Sequence, residues 1–288
     1  MIDLEQKKKA DAFRALHSGT EPLLLPNVWD VASARIVEAC GFPALATTSA
    51  GIAFSLGFAD GQQIPKEEMF QAVARIARAV KVPVTADVEA GFGIYPEDAA
   101  HTVRAILEAG AVGINLEDAT GDSSRPLADL QQHLQKIHAV REAANSLAVP
   151  LVLNARTDVY LLQVGDPATR YDEALRRLQA FRDSGADCVF IPGLRDASTI
   201  ARIVADLRCP VNILAVPGSP SVQELRRLGV ARISLGSGPM RATLGLLQRL
   251  GRELKTMGTY TAMDGAPSHA EMNRLMNPTE KPDHENER

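Results

Sequence analysis

Cysteine is scarce in this 288-residue sequence, which has only Cys40, Cys188 and Cys209. No CxxC pair indicates a zinc site, and the odd count argues against the disulfide framework of a small secreted domain. Each cysteine lies in or beside an apolar segment, which predicts buried free thiols. A reducing cytoplasm is therefore the expected location.

Long apolar runs and blocks of one charge are also missing. No stretch approaches the roughly 20 apolar residues of a membrane-spanning helix. The N-terminal segment MIDLEQKKKADAFRAL lacks the apolar centre of a signal peptide. The formal net charge is only −4, without a long basic run, so we expect neither nucleic acid nor a membrane as a partner.

Short apolar segments rich in strand-forming residues recur eight times along the chain. They lie at 22–29, 44–50, 82–90, 113–118, 150–158, 187–193, 210–218 and 231–238. Their nearly continuous apolar centres are typical of parallel strands buried on both faces. Eight strand and helix units predict an α/β fold, a (β/α)8 TIM barrel. A doubly wound sheet is the alternative, but eight units fit the length and no second-domain boundary is visible.

Helical patterns separate these segments. They lie at 66–80, 96–110, 170–185, 196–207, 221–229 and 239–257. Pro96 and the closing glycines are helix-end signals, and Asp30 is expected to cap the first of the interleaved helices. Residues 1–258, with their N-terminal helix, are thus predicted to form one barrel domain. Residues 259–288 are predicted to be a tail with a short helix at AEMNRLM and a disordered polar end.

Polar residues end most of the predicted strands, and in a barrel these ends form the active-site rim. They are Trp29, Asp30, Thr48, Ser49, Asp87, Glu89, Glu117, Asp118, Asn154, Arg156, Asp158, Asn212, Ser234 and Ser237. Four of the acids come from two neighbouring strands, and Asp60 lies in a nearby loop. Crowded carboxylates repel one another unless a cation neutralises them. All-oxygen ligands favour Mg²⁺, with Mn²⁺ as a second possibility, over zinc.

The segment TADVEAGFG carries two of these acids. Residues two apart on an extended strand share a face, so Asp87 and Glu89 are expected to point the same way. Gly91 and Gly93 are expected to let the following loop bend close to a ligand. No histidine ends a strand, which also argues against zinc. All six histidines, on predicted helices or in the tail, are predicted to lie at the surface.

Arg156, in the segment NART, has two interpretations that remain open. Its planar guanidinium suits a carboxylate or phosphate ligand, and it equally suits a structural ion pair with Glu117 or Asp158. The segment TTSAG offers hydroxyl and backbone donors for a small anion, although an ordinary loop would have the same residues.

The segments TTSAGIAFSLGFADGQ, DVEAGFG, NLED and NART, in this order and spacing, resemble the isocitrate lyase/phosphoenolpyruvate mutase superfamily over roughly residues 20–255. The resemblance implies a cytoplasmic (β/α)8 enzyme that acts on small 2-oxo acids or their hydroxy-acid adducts. It also implies Mg²⁺ that stabilises an enolate, and a homotetramer, a dimer of dimers, with a C-terminal helix exchanged between subunits.

The resemblance also implies residue roles. Asp87 would be the direct metal ligand, and Asp60, Glu89 and Glu117 would hold the metal largely through water. Thr48 and Ser49 would bind the substrate carboxylate, and Arg156 would contact the substrate. Asp60, Glu117 and Arg156 are the expected catalytic residues. Each role is an expectation about this chain.

The sequence departs from the superfamily pattern in the segment NLEDATGDSSRPLADL, which contains no cysteine, lysine or histidine. The lyase loop cysteine and the lysine and asparagine of the phosphonate mutases are therefore missing, and Glu89 replaces the usual aspartate. Arg125 is the preferred anion contact in this loop, ahead of Asp122, Ser123 and Ser124. A carbon–carbon lyase is the favoured function. A carbon–phosphorus enzyme and a non-catalytic 2-oxo-acid binding protein are the alternatives.

Overall fold

The computed structural model describes residue 2 and residues 4–277. Its parallel strands form one sheet in the order β1-β9-β8-β7-β6-β5-β4-β3-β2. The strands are β1 (Leu23–Leu25), β2 (Asn27–Val28), β3 (Leu45–Thr47), β4 (Val84–Asp87), β5 (Gly113–Glu117), β6 (Val152–Arg156), β7 (Cys188–Phe190), β8 (Val211–Leu214) and β9 (Arg232–Ser234).

The first two strands are two pieces of one barrel stave. Pro26, which lies between them, has no N–H to donate to a neighbouring strand. Because β1 pairs with β9 and β2 pairs with β3, the sheet closes on itself. The predicted (β/α)8 barrel is confirmed, and the doubly wound alternative is wrong.

Eleven α-helices are found in the described part of the chain. They are α1 (Leu4–Ala15), α2 (Val31–Ala39), α3 (Ser49–Ser55), α4 (Lys66–Ala79), α5 (Pro96–Glu108), α6 (Leu130–Ser146), α7 (Arg170–Asp183), α8 (Ala197–Leu207), α9 (Val222–Arg227), α10 (Gly238–Met257) and α11 (His269–Met276). Asp30 caps α2 by accepting a hydrogen bond from the Ser33 N–H, and Pro96 occupies the first turn of α5, as predicted.

Helix α1 closes the N-terminal end of the barrel. Phe13 is fully buried, and its ring would clash with a side chain added at Gly113, the first residue of β5. The Arg14 guanidinium donates to the carbonyl of Leu151, next to β6. This end of the molecule is therefore tightly packed, and an opening remains only at the carboxyl ends of the strands.

The interior of the barrel is polar where β5, β6 and β9 face one another. Asn115, Asn154 and Arg232 are buried there, and the Asn154 and Arg232 side chains both donate to the Asn115 side chain across the barrel. Strand residues with the opposite orientation, such as Leu116 and Ile233, are apolar and belong to the core between strands and helices.

Three predictions about buried and exposed residues are wrong. His17 and His133 are buried rather than at the surface, because His17 packs against Phe13 on α1 and His133 packs against Phe181 between α6 and α7. Burial lowers the pKa of His133 to about 3, so its imidazole is a neutral packing group. Cys40 is exposed at the end of α2, whereas Cys188 is buried as predicted.

The C-terminal segment leaves the barrel after β9. Helix α10 packs chiefly against β2 and against a 3₁₀ turn (Thr261–Met263) that follows it. Helix α11 forms at the predicted AEMNRLM segment and contacts α2. The end of the tail that was predicted to be disordered, residues 278–288, lies outside the described residues. No described helix has the length and apolar character needed to cross a bilayer.

Candidate active site

A cavity of about 250 Å³ opens at the carboxyl ends of the strands. Its polar lining consists of Asn27, Thr48, Ser49, Asp60, Asp87, Asn115, Arg156, Ser234, Ser237 and Arg241. Leu161, Phe190, Pro192 and Leu214 line it with apolar surface. Larger surface cavities exist elsewhere, but only this one combines the predicted acids with arginines among the cavities found in the described residues. It is therefore the candidate active site.

Asp87 ends β4 and is surrounded by hydrogen-bond donors. One carboxylate oxygen accepts from the Ser49 hydroxyl (2.9 Å) and the Ser49 N–H (3.2 Å). The other oxygen accepts from the Asn115 amide nitrogen at 3.4 Å. The Asp87 N–H donates to the Thr47 hydroxyl. Donors on both oxygens fix the orientation of this carboxylate.

Glu89 does not share an extended strand with Asp87, so that prediction is wrong. Strand β4 ends at Asp87, and Glu89 has φ of +51°, which lies in the left-handed region. Its side chain accepts a hydrogen bond from the Gln62 N–H (2.5 Å). Burial, together with the charges of Asp87 and Asp60, raises the pKa of Glu89 to about 8. Its other oxygen, Oε1, is buried without a hydrogen-bond partner.

The two glycines after Glu89 serve packing between elements. A side chain at Gly91, which has φ of +92°, would meet Ala99 of α5 and Leu116 of β5 at 3.3 Å. One at Gly93 would overlap the Asp98 carboxylate at 2.2 Å. The close approaches at these glycines are to α5 and β5, and the expectation that they bend the loop toward a ligand stays a prediction.

Arg156 occupies the end of β6 and forms two ion pairs. One guanidinium nitrogen lies 2.7 Å from Glu117, and Nε lies 2.6 Å from Asp158. Burial raises the pKa of Glu117, although the Arg156 charge opposes that change. Burial would lower the pKa of Arg156, but Glu117 and Asp158 raise it by more. The structural interpretation of Arg156 is confirmed, and its side chain still lines the cavity.

Asp118 does not join the other acids at the rim. It is fully buried and accepts hydrogen bonds from the Thr157 hydroxyl, the Asp158 N–H and the Arg177 guanidinium. Successive residues along a strand point to opposite faces of the sheet. Asp118, the residue after Glu117, therefore faces away from the cavity that Asp87 lines. The prediction that four strand-end acids converge is corrected to three, namely Asp87, Glu89 and Glu117.

The acids have the properties of a site for a hard cation. Asp60 is accessible at the cavity mouth. Partial burial and the negative charge of Asp87 raise the pKa of Asp60. Asp60 and Asp87 line the cavity, whereas Glu89 and Glu117 are not part of that lining. Within residues 4–277, no three Asp, Glu, His or Cys side chains lie close enough to enclose a metal by themselves. The oxygen-only donors and the unpartnered Glu89 Oε1 fit Mg²⁺, which usually retains several waters in protein sites.

Thr48 and Ser49 lie where β3 passes into α3. The Thr48 side chain caps the helix by accepting from the Gly51 N–H (3.3 Å), and both donors of Ser49 are directed at Asp87. Ser49 is therefore free to bind a substrate carboxylate only after Asp87 has turned toward a cation. Its predicted role in substrate binding stays a prediction.

The loop after β5 is folded on itself. Ala119 pairs with Leu127, and the Thr120 hydroxyl donates to the carbonyl of Arg125 (2.5 Å). Asp122 accepts from both the N–H and the hydroxyl of Ser124. The Arg125 side chain is exposed and outside the cavity lining. Its predicted contact with an anion therefore requires the loop to move.

Three polar residues that line the cavity were not predicted from the sequence. Asn27 accepts hydrogen bonds from the N–H groups of Leu235 and Gly236 and so holds the turn after β9. Asn115 is the first residue of the NLED segment, in which only the acids were predicted to act. The side chain of Arg241, in the first turn of α10, has no hydrogen bond or ion pair to another described residue, whereas its backbone N–H donates to the carbonyl of Ser237. A cation just after the last strand was the signal available for Arg241.

Other predicted rim residues take different places. Trp29 and Asp30 line a separate cavity beside α2 and α4. Asn154 is buried beneath the site, and Asn212 exchanges hydrogen bonds with Ser234 at 3.3 Å. Ser234 and Ser237 reach the cavity, as expected for residues at the end of a barrel strand.

Comparison with known proteins agrees with this architecture. A family model described as phosphoenolpyruvate phosphomutase matches residues 13–255. The chain belongs to this family. An oxaloacetate decarboxylase from Ectopseudomonas mendocina is 31% identical over 231 residues, 76% of this chain and 75% of the relative. A 2-methylisocitrate lyase from Bacillus subtilis is 30% identical over 216 residues, 73% and 67% of the two chains.

Two solved structures show the same fold as this chain. A Burkholderia cenocepacia J2315 protein, whose own assignment as a lyase or mutase is provisional, superimposes with a TM-score of 0.90 and 39% identity over 98% of this chain and 99% of the other. A 2,3-dimethylmalate lyase, described as a PEP mutase/isocitrate lyase superfamily member, gives a TM-score of 0.82 at 26% identity over 94% of this chain and 95% of the other. The resemblance inferred from the sequence is thereby confirmed.

Proposed function

We propose that this protein is a Mg²⁺-dependent carbon–carbon lyase that acts on a small 2-oxo acid, or on its hydroxy-acid adduct, through an enolate. One observation carries the proposal: Asp87 and Arg156, from β4 and β6, line the same cavity of about 250 Å³. A carboxylate suited to a cation therefore lies near a guanidinium suited to a carboxylate. Related lyases and decarboxylases support this class of reaction.

The residues that would hold the metal are Asp87 directly and Asp60, Glu89 and Glu117 through water. A bound Mg²⁺ supplies positive charge that stabilises the enolate produced when the carbon–carbon bond breaks. Mn²⁺ has similar ligand preferences. Glu117 and Asp158 fix Arg156 with ion pairs on two sides, so the guanidinium is oriented before a substrate arrives.

The cavity suits a small dianionic substrate. Its volume of about 250 Å³ lies below the roughly 300–1,000 Å³ typical of sites for drug-sized ligands. Arg156 and Arg241 provide two cations for carboxylates at different places on the lining, and Phe190 and Leu214 provide an apolar wall for a substrate side chain. Oxaloacetate and small branched hydroxy diacids match this pattern.

Substrate profiling tests the proposal. Purified protein with Mg²⁺ is given oxaloacetate, 2-methylisocitrate or phosphonopyruvate, and released pyruvate and phosphate are measured separately. We expect pyruvate release from a carbon substrate and none that depends on phosphonopyruvate. D87A is expected to lower the rate more than about 100-fold, because changes to outer-shell residues alone typically cost about 10–100-fold. The matched control D118N alters a buried carboxylate outside the cavity and should retain turnover once folded.

Two other results would replace the lyase assignment. Stoichiometric release of phosphate from phosphonopyruvate would identify a carbon–phosphorus enzyme. Mg²⁺-dependent binding of pyruvate, measured by calorimetry, without turnover of any substrate would identify a 2-oxo-acid binding protein.

A further inference from the structure

Arg232 is a buried cation without a counter-ion in direct contact. It lies on β9 with no exposed surface, and none of the ion pairs found among residues 4–277 involves it. Only Nη2 has a hydrogen-bond partner, Asn115 Oδ1 at 3.1 Å, whereas Nε and Nη1 have none. A buried guanidinium with unsatisfied donors lowers stability. The guanidinium carbon lies 6.0 Å from the centre of the Phe13 ring, which offsets part of this cost, and its one hydrogen bond points to a role at Asn115.

Asn115 connects Arg232 to the predicted metal ligand. Its Oδ1 accepts from Arg232 Nη2 and from Asn154 Nδ2 (2.8 Å), while its Nδ2 lies 3.4 Å from Asp87 Oδ1. The Asn115 amide thus presents its acceptor to the barrel interior and its donor to Asp87.

The two asparagines alone do not determine this orientation. Asn154 Oδ1 has no hydrogen-bond partner, so both amides can turn over together and keep a hydrogen bond between them. Asn115 would then present its oxygen to Asp87, and two acceptors would repel each other. Arg232 prevents the reversed arrangement because a guanidinium can only donate.

We propose that Arg232 is a positioning residue for the metal site: it fixes the Asn115 amide so that the amide nitrogen holds the Asp87 side chain facing the cavity. The proposal rests on the proposed function, in which Asp87 binds the metal. Electrostatic attraction between Arg232 and Asp87 acts in the same direction; burial lowers the pKa of Arg232, and Cys188 and then Asp87 oppose that change.

The test compares R232M with R177M. Arg177 is also a buried arginine, but it pairs with Asp118 and Glu173 outside the cavity. Mn²⁺ is titrated into each protein without substrate, free Mn²⁺ is read by electron paramagnetic resonance, and thermal unfolding is recorded in parallel. We expect R232M to bind Mn²⁺ about 10-fold more weakly with an unchanged or higher Tm, and R177M to keep Mn²⁺ affinity with a lower Tm.

Two further variants test whether hydrogen-bond donation to Asn115 is what matters. R232K keeps a charged group that can only donate, so it should bind Mn²⁺ within about threefold of the unaltered protein. R232Q can present either a donor or an acceptor to Asn115, so it should weaken Mn²⁺ binding even if R232M does not fold. Unaltered affinity in R232M or R232Q, or equal losses in R232M and R177M, would overturn the proposal. Absence of Mn²⁺ binding in the unaltered protein would instead overturn the proposed function, and this inference with it.

Discussion

Arg156 combines a structural role with access to the site. Its ion pairs with Glu117 and Asp158 confirm the predicted structural role. Because its side chain also lines the cavity, contact with a substrate remains a prediction. The same carboxylates that hold the guanidinium also reduce its net attraction for an anionic substrate. A second cation in the cavity is therefore useful, and the Arg241 guanidinium has no partner among the described residues.

Glu89 is expected to make the proposed metal binding dependent on pH. Its pKa is raised to about 8, so without a metal it is mostly protonated at pH 7, and a cation must displace the proton. Apparent Mg²⁺ affinity should therefore rise with pH, by up to about tenfold per unit below pH 8, and level off above it. Calorimetry in buffers of different ionisation enthalpy should show proton release as Mg²⁺ binds.

E89Q is the control for this effect, since glutamine keeps the shape of the side chain and has no proton to release. We expect fewer protons released and a shallower dependence on pH. A dependence identical to that of the unaltered protein would assign the proton to another group, such as Glu117.

At the scale of elements, helix boundaries could be predicted because their signals are local. Pro96 and the acids after it determine where α5 begins, and Asp30 determines where α2 begins. The left-handed turn at Glu89 could not be predicted, because it depends on what packs against the segment. Gly91, for example, packs against α5, which is a tertiary contact.

Lys136 on α6 holds the loop that follows β4. Its ammonium is buried and donates to the carbonyls of Ala90 (2.9 Å) and Gly93 (2.6 Å). We expect K136M to lower the free energy of unfolding by about 2 kcal/mol, because hydrogen bonds to charged groups contribute about 1.5–3 kcal/mol. Urea denaturation measures the loss, and faster amide hydrogen exchange at residues 89–93 should accompany it.

Lys81 provides the matched control, since it is an exposed lysine. K81M should change the free energy of unfolding by less than about 0.5 kcal/mol. Equal effects of K81M and K136M would show that the two loop hydrogen bonds contribute little.

At the scale of the molecule, α10 presents an apolar stripe that its own barrel does not cover. Leu244, Leu247, Leu254 and Met257 are exposed by 43%, 62%, 50% and 67%, and they recur at helical spacing. Such a surface on a 20-residue helix is typical of an interface. The exchange of this helix between subunits, implied by the superfamily resemblance, remains a prediction.

We expect the protein to be a homotetramer whose assembly depends on α10. L247D places a charge on the apolar stripe and should yield dimers or monomers in size-exclusion chromatography with light scattering. Q248D, which adds the same charge at the next position of the helix, should leave the mass unchanged. A monomeric unaltered protein would contradict the prediction.

The sequence by itself determined the eight strand segments, most helix limits and the acids at the strand ends, because apolar periodicity and capping signals act between near neighbours in the chain. Only the tertiary structure decided which polar groups meet. Asp118 turns away to Arg177, and Arg232 reaches Asn115, 117 residues distant. Closure of the barrel brings these side chains together, and no local pattern records such a contact.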